Sequence, residues 1–283
     1  GRQYEYYLSY GDDQKGVAAT FTTGGAIIPN GGMETWSGSM PLCPSEFTSK
    51  NKSTTWDTGN HGSETVGVNV TTYSSDVRPG STGTKSAYLK STYASMLGIG
   101  KFAAGNIFYG RYVNTEQTTQ GIIDFGQPFT FNAKPKGVRM WVKYNCGTID
   151  NIGSVGKNGD PDLTKIFCCL CNWSSAWCVD SDKADATTFS PSMENIRNCT
   201  DGRYSGVLYT AYFDTNTSNK EWHELYIPFE KVEGTDESIV PNYLVLTATC
   251  SGYGDYFTGS SESWMYVDDI ELLFDLDENN QPK

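Results

Sequence analysis

The chain has 283 residues, with 21 basic and 33 acidic side chains and a net charge of −12. Its length favours one large domain or two small ones. A chain with this negative charge is repelled by the phosphate backbone of a nucleic acid. No stretch approaches the ~18 consecutive apolar residues that a membrane-spanning helix needs. These numbers exclude nucleic-acid binding and a transmembrane segment in this chain.

Uncharged polar and aromatic residues take the place of charge. Charged residues make up only 19% of the chain, whereas aromatic residues reach 13%, with 18 Tyr and 7 Trp. Thr and the aromatic residues favour strands, and the 30 Gly and 11 Pro supply turns. We therefore predict an extracellular all-β domain rather than a cytosolic enzyme built on a parallel sheet.

In chain order, residues 1–24 are predicted to be an N-terminal arm or the stub of an upstream domain. Because the first residue is Gly, we expect a processed or trimmed product. Residues 25–275 are predicted to be one antiparallel two-sheet β-sandwich with minor helical turns, and residues 276–283 a frayed tail. The clearest strand patterns cover 66–73, 85–90, 137–144, 165–171, 207–213, 224–229, 243–249 and 264–274. A short helix opening at Ser190 is predicted inside the otherwise strand-poor segment 171–204.

The last predicted strand alternates cleanly from Trp264 to Phe274. Strict alternation places Asp268 on the same face as Trp264 and Ile270, and Asp269 on the other face. Both faces are partly apolar, so we expect a central strand.

Eight cysteines leave their chemistry open. Five of them lie between Cys168 and Cys199, but the segment 168–171 lacks the paired spacing of a zinc site and the chain has only His61 and His223. An even number of cysteines permits disulfides, although a chain of this length does not need them. Buried thiols are the favoured interpretation, with disulfides next and a metal site last.

An ordered series of short motifs resembles a known family. The series includes Asn-Gly-Gly-Met-Glu-Thr-Trp at 30–36 and Ser-Gly-Tyr-Gly-Asp-Tyr-Phe-Thr-Gly at 251–259. The other matching segments are 56–60, 104–110, 125–129, 140–144, 227–229 and 266–270. As a set they are similar to the putative carbohydrate-metabolism domain family of Bacteroidetes surface lipoproteins. The Cys-rich stretch 165–178 departs from the plainer strand sequence expected there.

The resemblance implies a β-jelly-roll related to carbohydrate-binding modules, and glycan binding in polysaccharide utilisation. It implies an extracellular, cell-surface or outer-membrane-anchored location, with the periplasm as an alternative and a lipid anchor in the precursor. We expect a monomer. In many carbohydrate-binding jelly rolls an early Glu and an Asp of the last strand help to hold a structural calcium, which would here place Glu34 and Asp268 at a metal site. The alternative is that Asp268 only accepts hydrogen bonds.

Sugars stack their C–H faces on aromatic rings, and an aromatic residue in a loop is a better binding candidate than one in a strand. The predicted carbohydrate-binding residues are Trp56, Trp173, Trp177, Tyr253 and Tyr256. Each of them could instead pack in the core or anchor a loop.

Two other functional classes remain open. A glycoside hydrolase would need a pair of carboxylates, for which Glu34, Asp57, Asp124 and Asp255 are candidates, although none stands in a recognisable acid–base motif. No nucleophilic Gly-x-Ser-x-Gly turn with a His partner and no P-loop occurs, so the catalytic residues stay unknown. The third class is a structural or adhesive module without a small ligand.

Overall fold

The computed structural model of the chain describes residues 3–6, 9–10, 14–22, 27–38, 41–45, 55–96, 99–116, 120–131 and 133–274. Across these residues the chain forms mostly antiparallel strands, joined by turns and a few short helical segments. None of the helices in these ranges is both long and apolar enough to span a membrane.

The first ten strands are β1 Gln3–Tyr6, β2 Ser9–Tyr10, β3 Gln14–Lys15, β4 Ala19–Thr22, β5 Trp56–Thr58, β6 Thr71–Ser74, β7 Ser86–Lys90, β8 Thr92–Met96, β9 Ile99–Ala103 and β10 Asn106–Glu116. The next ten are β11 Gln120–Phe125, β12 Gln127–Pro128, β13 Gly137–Asn145, β14 Thr164–Cys171, β15 Trp177–Asp180, β16 Val207–Thr215, β17 Asn219–Pro228, β18 Glu230–Lys231, β19 Tyr243–Thr249 and β20 Trp264–Leu273. The α-helices are α1 Asn60–Ser63, α2 Ala184–Thr187 and α3 Met193–Asn198, and single 3₁₀ turns cover Glu64–Val66, Ser181–Lys183 and Gly254–Tyr256.

Two large sheets form the sandwich. The nine-stranded sheet has the order β15-β11-β10-β19-β14-β16-β18, with β5 paired to β10 and β12 paired to β19. The five-stranded sheet has the order β17-β13-β20-β7-β6. Three small antiparallel pairs, β1 with β4, β2 with β3 and β8 with β9, complete the described strands. The prediction of an antiparallel two-sheet sandwich with minor helical turns is confirmed.

Strand β14 shows how the nine-stranded sheet is buried on both faces. Ile166, Cys168 and Leu170 belong to the core between the two sheets, whereas Phe167 and Cys169 belong to a second apolar cluster on the outer face. Alternate side chains of a strand point to opposite faces, so one cysteine-rich strand can serve both clusters. The outer cluster is covered by residues 177–204, here called the covering segment, through side chains such as Val179, Phe189 and Tyr204.

The alternation predicted for the last strand is broken inside β20. Met265 and Val267 face the core before the break, and Ile270 and Leu272 face it afterwards, so the buried set shifts by one residue. A register irregularity against β13 and a positive φ of 46° at Asp269 mark the break. A bulge adds one residue on one strand and exchanges its faces. The prediction that Asp268 shares one face with Ile270 is therefore wrong.

Local features of the covering segment differ from the predictions in two ways. Trp177–Asp180 is not a loop but strand β15, paired antiparallel with β11. The short helix is present as α3, but its cap is Ser192, two residues after the predicted Ser190. The Ser192 side chain accepts a hydrogen bond from the Asn195 backbone N–H.

The predicted N-terminal arm, residues 1–24, contains the two small pairs β1–β4 and β2–β3. The predicted tail 276–283 lies outside the described residues.

Candidate functional site

A cleft of about 620 Å³ opens on the outer face of the nine-stranded sheet, beside the outer apolar cluster. Strands β10, β11, β14, β16 and β19 form its floor, and the β8–β9 pair, the loop 251–257 and the covering segment form its walls. The residues that give the cleft its chemical character are Tyr112, Lys165, Thr188, Tyr212, Asp214, Thr247, Tyr253, Asp255 and Tyr256.

Four charged side chains lie in the cleft: Lys101, Lys165, Asp214 and Asp255. Lys165 and Asp214 are directly opposite in the β14–β16 register, and the Lys165 Nζ donates a hydrogen bond to the carbonyl of Gly252 at 3.1 Å. Desolvation lowers the pKa of Lys165, against the opposing effects of Asp255 and Asp214. Burial raises the pKa of Asp255, although its carboxylate accepts a hydrogen bond from the Thr188 hydroxyl and faces the lysine. The site therefore combines two cations and two carboxylates, of which Lys165 and Asp255 are desolvated whereas Asp214 is exposed.

Thr247 adds an unused hydrogen-bonding group to the floor. Its side chain is only 5% exposed and lies on β19 between apolar neighbours. Its hydroxyl oxygen has no hydrogen-bond partner among the residues that the structure describes. A buried hydroxyl without a partner costs free energy, so this position favours a bound polar group or an ordered water molecule.

Of the predicted sugar-stacking residues, the structure brings Tyr253 and Tyr256 to the cleft. Both are half-buried and belong to the loop that follows β19. The Tyr253 ring centroid lies 5.9 Å from the Nζ of Lys165, so an aromatic face and a cation adjoin in the same wall.

Trp56 lies elsewhere, and the structure corrects its predicted role. It is fully buried in the core between the sheets, donates its indole N–H to the Pro29 carbonyl at 2.7 Å and packs edge-on against Tyr109. It has no exposed face to offer a sugar, because strand β5 turns this side chain inward.

Trp173 packs against the outer cluster just before the covering segment, and Trp177 is the first residue of that segment; neither lines the cleft. Their indole N–H groups donate to the carbonyls of Ser205 and Thr187, each at 2.8 Å, and both rings contact Phe189. These contacts are those of anchors that hold the segment on the sheet.

The two predicted calcium ligands already accept hydrogen bonds from the chain. Glu34 accepts the backbone N–H groups of Thr84 and Lys85 at 2.9 and 3.0 Å. Asp268 is fully buried and accepts the backbone N–H of Arg78 at 3.1 Å, and burial raises its pKa. A calcium ion at these carboxylates stays a prediction.

Gly31 brings the early segment against the last strand. A Cβ atom there would lie 2.2 Å from the Ile270 carbonyl oxygen, and the Gly31 carbonyl accepts the Ile270 N–H at 2.8 Å. The glycine is therefore required by this close backbone approach.

Among the candidate carboxylates, only Asp255 lies in the cleft. Asp124 pairs with Arg111 at 2.6 Å, and Asp57 is buried behind the cleft wall. Asp214 was missed by sequence reasoning, since it stands in strand β16 with no motif around it. Its position opposite Lys165 appears only once β14 and β16 are paired.

Sequence reasoning also set aside a second aromatic surface. Tyr88, Tyr266, Trp222, Trp264 and Trp141 are half-buried on the outer face of the five-stranded sheet. Tyr88 is paired in register with Tyr266, and their ring centroids are 4.5 Å apart. Because these aromatic residues lie at alternating positions of strands, the sequence suggested that they pack in the core. The sequence could not show that they lie on the face that points away from the other sheet.

Two solved structures share this architecture. A crystal structure of a putative glycoside hydrolase from Bacteroides thetaiotaomicron has a TM-score of 0.62 at 21% sequence identity, covering 91% of this chain and 75% of that one. A second, of a putative glycoside hydrolase from Bacteroides vulgatus, has a TM-score of 0.57 at 20% identity, covering 83% of this chain and 90% of that one. At these identities the likeness shows the fold alone.

No curated protein matches the chain. The family model described as "Putative carbohydrate metabolism domain" matches residues 34–273, which include both sheets of the sandwich and the whole cleft. The chain therefore belongs to the putative carbohydrate metabolism domain family.

Proposed function

We propose that the cleft on the nine-stranded sheet binds a segment of a glycan. The observation that carries this proposal is the composition of the cleft, in which the rings of Tyr253 and Tyr256 adjoin two lysines, two carboxylates and a hydroxyl that has no partner among the described residues. Membership of a carbohydrate-metabolism family supports it. Sugars need this mixture, because their C–H faces stack on rings while their hydroxyls require both donors and acceptors.

The residues have distinct proposed roles. Tyr253 and Tyr256 provide aromatic faces for a sugar ring. Lys165 donates to a sugar oxygen and Asp214 accepts from a hydroxyl. The Thr247 hydroxyl gains the partner that it lacks among the residues that the structure describes. We expect modest affinity, since an open cleft must order flexible hydroxyls and gains little buried area.

The experiment is a glycan array on the purified chain, followed by calorimetry with a glycan that binds. Tyr253→Ala and Asp214→Asn should each weaken binding about tenfold, equivalent to about 1.4 kcal/mol. The matched control is Tyr266→Ala, which removes a half-buried tyrosine from the other sheet and should leave the affinity unchanged. Loss of binding in the control together with full affinity in both cleft variants would move the site to the five-stranded sheet.

Glycoside hydrolysis is the second candidate, favoured by one observation. Asp214 and Asp255 lie in the same cleft beside Lys165, and the pKa of Asp255 is raised by burial. A carboxylic acid that stays protonated can act as the general acid, with a second carboxylate as base or nucleophile. Release of new reducing ends from a bound glycan, abolished by Asp255→Asn while binding persists, would identify an enzyme. Binding without release would leave the chain a binding protein.

We propose that the protein lies at the surface of a Bacteroidetes cell and that its precursor carries a lipid anchor. We also propose that the chain acts as a monomer. The support is the resemblance of the motifs to surface lipoproteins of that group. Antibody labelling of intact cells tests it, and labelling only after cell disruption would contradict it.

A further inference from the structure

Behind the cleft wall, three buried side chains converge on one point. Asp57 belongs to strand β5, His61 lies four residues later on helix α1, and Cys43 comes from the preceding segment 41–45. Their exposed fractions are 0%, 5% and 0%. The Cys43 Sγ lies 3.2 Å from Asp57 Oδ1 and 3.6 Å from His61 Nε2, and the last two atoms are 2.9 Å apart.

The contacts of this cluster converge on single atoms. The single oxygen Asp57 Oδ1 faces the Thr58 N–H at 2.9 Å as well as the histidine and the thiol. The same histidine nitrogen faces both the carboxylate and the sulfur, although one imidazole nitrogen offers either one proton or one lone pair. In a nucleophilic triad the two ring nitrogens would serve the two partners separately. Here a single nitrogen, an oxygen and a sulfur surround a common point.

We propose that Cys43, Asp57 and His61 bind a zinc ion. Zinc–ligand bonds of about 2.3 Å to sulfur and about 2.0–2.2 Å to nitrogen and oxygen, in a tetrahedron, place ligand atoms about 3.3–3.6 Å apart. The observed separations of 2.9, 3.2 and 3.6 Å need only small adjustments to reach these values. Thiolate and imidazole together select zinc over calcium or magnesium, which prefer oxygen ligands.

Charge balance supports an ion in so buried a position. Binding replaces the thiol proton with a sulfur–zinc bond, and that proton leaves to solvent, while the neutral imidazole and the carboxylate each contribute a lone pair. The two positive charges of zinc then offset one thiolate and one carboxylate, so the assembled site is neutral. A neutral site avoids the cost of burying a net charge.

The site would be structural and would hold a wall of the cleft. Asp57 Oδ2 accepts the Tyr112 backbone N–H at 2.7 Å, and the His61 ring stacks on the Tyr112 ring with centroids 4.9 Å apart. Tyr112 lines the cleft. The ion would therefore join segment 41–45, strand β5 and strand β10, with a fourth ligand from water or another group of the chain.

The test begins with the metal content of the purified chain. Zinc added to protein that has been stripped with phenanthroline should bind at about one ion per chain and raise the melting temperature. Cobalt(II) in its place should give a thiolate-to-cobalt charge-transfer band, a signature that a hydrogen-bonded cluster cannot produce.

Cys43→Ser should abolish the cobalt band and reduce bound zinc to about zero. The matched control is Cys250→Ser, which changes an equally buried thiol outside the cluster and should leave both unchanged. If Cys43→Ser does not fold, the wild-type cobalt spectrum decides alone. A folded wild type that binds no added zinc and shows no cobalt band would overturn the proposal and leave a hydrogen-bonded cluster.

Discussion

The outer faces of the two sheets carry similar residues but differ in what covers them. On the five-stranded sheet the Lys143 Nζ lies 4.4 Å from the Tyr266 ring centroid, and the Arg78 guanidinium lies 5.3 Å from that of Trp141. The aromatic faces are thus occupied by cations of the chain itself. On the nine-stranded sheet the covering segment buries one end of the face and leaves the cleft at the other.

This contrast shows that aromatic content does not identify a binding site. An exposed ring under an intramolecular cation already has a partner, and a ligand must displace it. The cleft also contains such pairs, with Lys165 at 5.9 Å from the Tyr253 ring centroid and Lys101 at 3.9 Å from that of Phe257. Its rings and polar groups differ in that they surround an open volume of about 620 Å³. The difference in covering should therefore appear both in stability and in binding.

The largest expected effect concerns the covering segment. Trp177→Ala removes the indole hydrogen bond to Thr187 and the contact with Phe189, and should lower the free energy of unfolding by about 3 kcal/mol. Trp222→Ala, on the other outer face, removes a similar indole hydrogen bond, to Asp76 at 2.9 Å, but no covering segment is anchored by it, so it should cost less, about 2 kcal/mol. Urea denaturation measures both. Equal losses would show that the covering segment does not depend on its tryptophan anchor.

Calcium would act on the five-stranded side, where Asp268 lies in β20. If Glu34 and Asp268 hold the ion, adding calcium at a hundred times its dissociation constant should stabilise the chain by about 2.7 kcal/mol. EGTA should reverse this, and Asp268→Asn should remove the sensitivity. Glycan affinity should stay unchanged, since the cleft belongs to the other sheet. Identical melting curves with calcium and with EGTA would eliminate the site.

The pH dependence of stability tests the desolvated end of the cleft. Because the pKa of Asp255 is raised, the folded chain holds this proton more tightly than the unfolded chain does. The carboxyl therefore favours folding at low pH, and its contribution falls as pH rises upward from the ordinary value of 3.8. As the pH increases from 3.8, the free energy of unfolding of the wild type should fall relative to that of Asp255→Asn. A difference that stays constant with pH would contradict the shift.

The smallest expected effect is that of salt on glycan affinity. The cleft offers two lysines, Lys101 and Lys165, against two carboxylates, and stacking on Tyr253 and Tyr256 is uncharged. Raising the salt concentration tenfold should change the dissociation constant by less than about twofold, because only screened contacts respond. A steep salt dependence would indicate an anionic glycan held mainly by Lys165.

The sequence by itself determined the fold class and eight of the fourteen strands of the two large sheets. The pattern at 243–249 matches β19 at both ends, and those at 137–144 and 165–171 match β13 and β14 to within one residue. These strands are predictable because alternation and glycine turns are local properties of the chain. The motifs likewise predicted a carbohydrate-metabolism family, and the family model covers residues 34–273.

Other features depended on partners distant in the sequence. Strands β10 and β11 were not predicted, since their mixed polar sequences become strands by pairing inside the nine-stranded sheet. The shift of faces in β20 needs the bulge at Asp269, which alternation alone cannot reveal.

Only the tertiary structure decided which residues form the two candidate sites. The cleft joins Lys165, Asp214 and Asp255 from three separate segments, and the metal cluster joins Cys43 to Asp57 and His61 across 14 and 18 positions. Trp56 and Tyr253 both stand in family motifs, yet one is buried by strand β5 and the other lines the cleft. Local sequence sets the direction of a side chain along its strand, but what that face meets depends on how distant strands pair and pack.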